Sequence, residues 1–146
     1  MAGQKCIGID LGLRRVGVSI SDEAGFMARP LRVIAYEGQE KLAASLVELA
    51  LSNDVGAFVV GLPRNMDGTS GEGARRAIKF AQKLAAKSGL RVVLCDERLT
   101  TSQAEKEMIA LGKSRKARRM TIDEAAAVLI LETYLRQKSL TGQSEG

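Results

Sequence analysis

A chain of 146 residues, 45% apolar and 27% charged, fits one soluble globular domain with a real core. It contains no run of eighteen apolar residues, which excludes a membrane-spanning helix; having no histidine and only two cysteines argues against a zinc centre. The net charge of +5 is localised: outside Lys113, Arg115, Lys116, Arg118 and Arg119, basic and acidic residues are equal in number.

The N-terminus, Met1 to Lys5, has no signal-peptide pattern and leads straight into a strand, which points to the cytoplasm. Strand one covers about residues 4 to 11. Ile7, Ile9 and Leu11 share one face by strand alternation, and Cys6, Gly8 and Asp10 share the other. A turn at Gly12 to Arg15 leads to strand two, where Val16, Val18 and Ile20 alternate with Gly17, Ser19 and Ser21. After the turn Asp22-Glu23-Ala24-Gly25, strand three runs from about Ala28 to Tyr36. Pro30 near its start suits an edge strand. These three strands predict an antiparallel meander.

The period then changes. Leu42, Leu46, Leu49 and Ala50 recur at helical spacing, and Asn53, Asp54 and Gly56 mark the helix end. Ala57 to Leu62 is a continuous apolar run, as in a strand buried on both faces. A loop, Pro63 to Gly68, precedes Thr69 and Glu72, whose spacing resembles a capping box. The helix after it carries Ala74, Ile78, Ala81 and Leu84 and ends at Ser88-Gly89. Leu90 to Cys95 reads as another buried strand, tipped by Asp96-Glu97-Arg98. A third helix is predicted from about Ser102 to Leu111, followed by the basic segment. The last helix opens at Thr121, with Glu124 as a second capping box. Cys6 and Cys95 both fall in strands and read as buried, reduced thiols. Residues 1–138 are expected to form one domain, and the polar residues 139–146 are expected to form a disordered tail.

Three antiparallel strands followed by alternating helices and strands predict a mixed five-stranded α/β sheet. Strands four and five run parallel to strand one, and helices cover both faces. This is the order of the ribonuclease H-like fold. Asp10 ends an otherwise apolar strand, so it must be solvated, paired or bound to a cation. Glu97 lies just past strand five, on the sheet edge where open α/β sheets place ligands. Asp123 lies in the first turn of the last helix, on the stripe of Ala127, Ile130 and Tyr134. Three acids facing one another require a cation between them, and without histidine that cation is Mg2+ or Mn2+. Each acid also has a purely structural reading. Asp10 could accept turn amides, Glu97 could pair with Arg98, Arg14 or Arg15, and Asp123 could complement the helix dipole. Asp67 reads as a turn residue, Asp96 as one turned away from Glu97, and Glu124 as a cap; whether any joins the metal is open.

Several blocks together resemble the YqgF (RuvX) family: Gly8-Ile9-Asp10-Leu11-Gly12 with Arg14-Arg15-Val16-Gly17, Gly61-Leu62-Pro63 with Asn65-Met66-Asp67-Gly68, Asp96-Glu97-Arg98-Leu99-Thr100-Thr101, and Asp123-Glu124-Ala125-Ala126-Ala127. The resemblance spans residues 4 to 137. It implies a ribonuclease H-like nuclease related to RuvC, acting in 5′-end maturation of precursor 16S ribosomal RNA, in Holliday junction resolution, or in both. It also implies that Asp10, Glu97 and Asp123 are the catalytic, metal-binding acids, with two metal ions roughly 4 Å apart. Arg14, Arg15 and Arg98 would hold phosphates near that site. Lys113, Arg115, Lys116, Arg118 and Arg119 would grip the backbone farther out. Structured RNA or branched DNA is the expected partner. A junction resolvase would be a homodimer, whereas an RNA trimmer could act alone.

Two other readings compete. Actin- and Hsp70-like ATP-binding proteins also open with Gly-Ile-Asp-Leu-Gly. They need two related domains, however, and small hydroxyl residues where Leu13-Arg14-Arg15 stands here. A non-catalytic nucleic-acid-binding module on the same fold would need no acids, yet the acids are present.

Overall fold

The computed structural model describes residues 4–63, 71–96 and 122–140, and side chains of the last stretch from 124 to 138. Strand β1 (Lys5–Leu11) pairs antiparallel with β2 (Arg15–Ser21), and β2 pairs antiparallel with β3 (Ala28–Ala35). Helix α1 (Gln39–Ser52) crosses to β4 (Val55–Leu62), and helix α2 (Glu72–Ser88) crosses to β5 (Arg91–Asp96). The last described element is helix α3 (Ile122–Leu140). The sheet order is β3-β2-β1-β4-β5, with β4 parallel to β1 and β5 parallel to β4. Parallel pairing brings the C-terminal ends of β1, β4 and β5 to one edge.

Alternation along the strands splits the interior into two cores. Ile7, Ile9, Val16, Val18, Ile20, Phe58 and Val60 face α1 and α2, meeting Leu42, Leu46, Phe80 and Leu84. Cys6, Ala57, Val59 and Cys95 face the opposite way, meeting Ile130, Leu131 and Leu135 of α3. The sheet thus has helices on both faces. The two thiols are buried and free. They sit on strands separated by β4, too far apart for a disulfide.

Two expectations change. Strand β5 is an edge strand of the described sheet, not a fully buried one: Leu94 is 37% exposed, and only Cys95 of the strand is buried. It has one neighbouring strand instead of two, so its apolar run is covered less completely. Helix α2 begins at Glu72 with Gly71 as its N-cap and no side-chain cap bond. Glu72 is therefore the first helical residue, too early for the third-residue role that a capping box requires; Thr69 lies outside the described residues. At the other end Gly89 sits at φ 72°, the left-handed C-cap expected of glycine.

Helix α3 sits tightly on the sheet. A Cβ placed on Gly8 would lie 2.5 Å from Ser19 Oγ, 2.8 Å from Leu131 Cβ and 3.0 Å from the Ala127 carbonyl oxygen. Only glycine admits a helix this close to the strand. The buried Ser19 hydroxyl donates to that same Ala127 carbonyl at 2.8 Å, tying β2 to α3.

Candidate active site

Asp10 is the next-to-last residue of β1 and is half-buried. Its side chain belongs to the face of Cys6 and Gly8, the face that α3 covers. Its cross-strand partner on β2 is Gly17. Ile9 pairs with Val60 on β4, so Gly61 is the residue level with Asp10 on that side. Gly61 in turn pairs with Cys95 of β5. Asp10 therefore stands between two glycines, with no neighbouring side chain at its own level on either adjoining strand. The sequence contains both glycines, but only the strand register makes them flank the acid.

Helix α3 runs antiparallel to β1. Lys138 is close enough to act on Cys6, at the start of the strand, and Ala127 and Leu131 lie over Gly8. From Gly8 to Asp10 the strand advances roughly 7 Å. From Ala127 back to residue 123 the helix advances about 6 Å in the same direction. The N-terminal turn of α3, which holds Asp123 as its second residue and Glu124 as its third, therefore lies toward the Asp10 end of β1. A helix N-terminus brings partial positive charge to that end of the site.

Arg14 and Arg15 are exposed, Arg14 in the β1–β2 turn and Arg15 at the first position of β2, just beyond Asp10. Asp96 is half-buried at the last position of β5 and pairs with Leu62. Among the described residues no three metal-ligating side chains cluster. Glu97, Arg98, Asp67, Lys113, Arg115, Lys116, Arg118 and Arg119 lie outside the described residues, as does the side chain of Asp123.

Sequence reasoning missed Arg76. Its guanidinium donates from Nη1 to the Leu11 carbonyl at 3.2 Å and from Nη2 to the Gly12 carbonyl at 2.9 Å. It also stacks over the Tyr36 ring, 4.6 Å from the centroid. The sequence shows only a basic pair on a helix, and these partners are 64 and 65 residues away.

The family profile described as RuvX, Holliday junction resolvase, matches residues 4–137. The chain belongs to the RuvX family. Among its relatives, a protein of Pelotomaculum thermopropionicum named "Putative pre-16S rRNA nuclease" is 46% identical over 132 residues, covering 90% of this chain and 86% of the relative. A Listeria monocytogenes protein of the same name is 44% identical over 133 residues, covering 90% of this chain and 96% of the relative. Among solved structures, RuvC of T. thermophilus in complex with a Holliday junction substrate superposes with a TM-score of 0.66 at 16% identity, over 96% of this chain and 98% of that one. The fowlpox virus Holliday junction resolvase gives 0.55 at 8% identity, over 91% and 99%. At such low identity these two establish the fold, a resolvase-like ribonuclease H sheet.

Proposed function

We propose that this RuvX-family protein is a nuclease that hydrolyses phosphodiester bonds of structured nucleic acid, in 5′-end maturation of 16S ribosomal RNA precursors, in Holliday junction resolution, or in both. The observation that carries the reading is the seat of Asp10. A carboxylate stands at the shared tip of parallel strands, between two glycines, on the sheet face that α3 covers.

The donor chemistry fits a hard divalent cation. Asp10 supplies carboxylate oxygen, the residues level with it on both neighbouring strands carry no side chain, and the chain has no histidine to favour a softer metal. Asp10, Glu97 and Asp123 are the residues that would hold Mg2+ or Mn2+. Strand β5 lies roughly 10 Å from β1 at the standard spacing. Glu97 follows Asp96, the last residue of β5, in the sequence, and on this reading it joins Asp10 and Asp123 around the metal. Once bound, a divalent ion supplies an acidified water and charge stabilisation at phosphorus. Arg14 and Arg15 hold phosphates next to the scissile bond, with Arg98 as a third cation. Lys113, Arg115, Lys116, Arg118 and Arg119 grip the backbone farther out, so affinity falls steeply with salt. Aromatic residues make up 3% of the chain, which favours recognition by shape and backbone over base stacking.

Cleavage assays with Mg2+ or Mn2+ on four-way junction DNA and on precursor 16S RNA test the reading directly. Asp10→Asn is expected to abolish cleavage of whichever substrate is cut, with circular dichroism unchanged. Unchanged turnover by that variant removes the reading. Sedimentation separates a symmetric dimer, suited to cutting two strands, from a monomer. The described residues contain no helix long and apolar enough to cross a membrane.

A further inference from the structure

The turn that follows Asp10 is held from three directions. On its first limb the carbonyls of Leu11 and Gly12 both accept from Arg76 of α2. On its second limb the Arg14 carbonyl accepts from the Tyr36 amide at 2.8 Å. The two holders are joined to each other, because the Arg76 guanidinium lies over the Tyr36 ring. Inside the turn the Gly12 amide donates to the Asp10 carbonyl at 3.1 Å. A Cβ on Gly12 would come within 2.2 Å of the Arg15 carbonyl oxygen. The turn therefore has almost no internal slack, and its outward-facing carbonyls are fixed from outside by one cation.

From this geometry we propose that Arg76 and Tyr36 form a clamp that positions Asp10, Arg14 and Arg15 for catalysis, with Arg76 as a positioning residue. Arg76 reaches the site through main chain, not through substrate. Its planar fork matches two successive carbonyls at once, which an ammonium cannot do. Stacking on Tyr36 fixes the plane of that fork. Releasing it leaves the β1–β2 turn free to shift, and Asp10 and the two arginines shift with it. A displacement of about 1 Å at a reacting centre costs roughly 100-fold in rate. The proposal rests on the reading of Asp10 as a metal ligand.

The test compares full-length wild type, Arg76→Gln, Arg76→Lys, Tyr36→Phe and Asp10→Asn. Hydrogen exchange is read in peptides covering residues 10–16 and, as a core reference, 55–62. Mn2+ binding is read by calorimetry, and cleavage on the substrate that wild type cuts. In Arg76→Gln, exchange at 10–16 should rise about tenfold or more while 55–62 stays protected. Mn2+ should bind several-fold more weakly, and cleavage should drop roughly 10- to 100-fold. Arg76→Lys should fall between, because it can satisfy one carbonyl. Tyr36→Phe should keep slow exchange, since the ring face and the main-chain amide both remain. Wild-type exchange and Mn2+ affinity in Arg76→Gln overturn the proposal. If Arg76→Gln loosens 55–62 as well, Arg76→Lys decides, and wild-type behaviour there also overturns it. Asp10→Asn should keep the turn protected while losing Mn2+ binding and cleavage. If it binds Mn2+ and cleaves normally, the metal reading has failed, and the catalytic half of this proposal falls with it.

Discussion

Gly8→Ala probes the closest helix-to-sheet contact in the fold. The added methyl would lie 2.5 Å from Ser19 Oγ, 2.8 Å from Leu131 Cβ and 3.0 Å from the Ala127 carbonyl oxygen. All three distances are well inside van der Waals contact, and two of the three atoms cannot rotate away. Overpacking of this kind costs about 1–3 kcal/mol. Relief requires α3 to lift, which also stretches the buried bond from Ser19 to Ala127, at about 1 kcal/mol. The expected loss is about 3 kcal/mol, equivalent to roughly 6–12 °C in melting temperature for a domain of this size. Urea and thermal unfolding followed by circular dichroism measure it. Ser19→Ala alone should cost about 1 kcal/mol. The double variant should be more stable than the sum of the two singles implies, because removing the hydroxyl removes the shortest contact, while the Leu131 overlap stays. A Gly8→Ala protein within 0.5 kcal/mol of wild type, or strict additivity with Ser19→Ala, would refute the claim that α3 is seated on this glycine.

Other expectations follow from single residues. Thr133 is buried in α3, and its hydroxyl has no hydrogen-bond partner among the described residues; Thr133→Val should stabilise by about 1 kcal/mol, read by urea denaturation. Cys6 and Cys95 are buried, and burial pushes the Cys6 thiol up from its ordinary range. Both should resist a thiol reagent at pH 8 and react together on unfolding; rapid labelling of the native protein would contradict this. The Asp22 carboxylate accepts from the Met27 and Phe26 amides, which hold its pKa below the usual carboxylate value. Its contribution to stability is therefore present above the unfolded-state pKa and lost as pH falls through the lowered folded value. Asp22→Asn should flatten that part of the acid-unfolding curve, and an unchanged curve would count against the turn contact.

The parts of the fold that local pattern controls were legible from the chain. Strict alternation in Val16 to Ser21 assigns the residues of β2 to its two faces, and the unbroken run of β4 marks an interior strand. Asp10 stood out because an acid has no local reason to end an apolar strand. What a strand's neighbours are is not local information. Val92, Val93 and Leu94 look as apolar as Phe58, Val59 and Val60, yet β5 has one strand beside it in the described sheet and β4 has two. A capping box is only a spacing of residue types, and Gly71 took the cap that Thr69 and Glu72 suggested. Gly17 and Gly61 gain meaning only when register sets them beside Asp10. Arg76 could not be singled out at all, since nothing in a helix sequence says which distant carbonyls its side chain will meet.

The bond between Ser19 and Ala127 joins residues 108 positions apart. During translation the meander leaves the ribosome well before the helix that closes over it. Asp10 therefore waits, without its roof, until nearly all of the chain has been made. If the proposed centre at Asp10 is the one that cuts, it is completed only when α3 arrives, and a chain that ends before α3 is expected to be inactive.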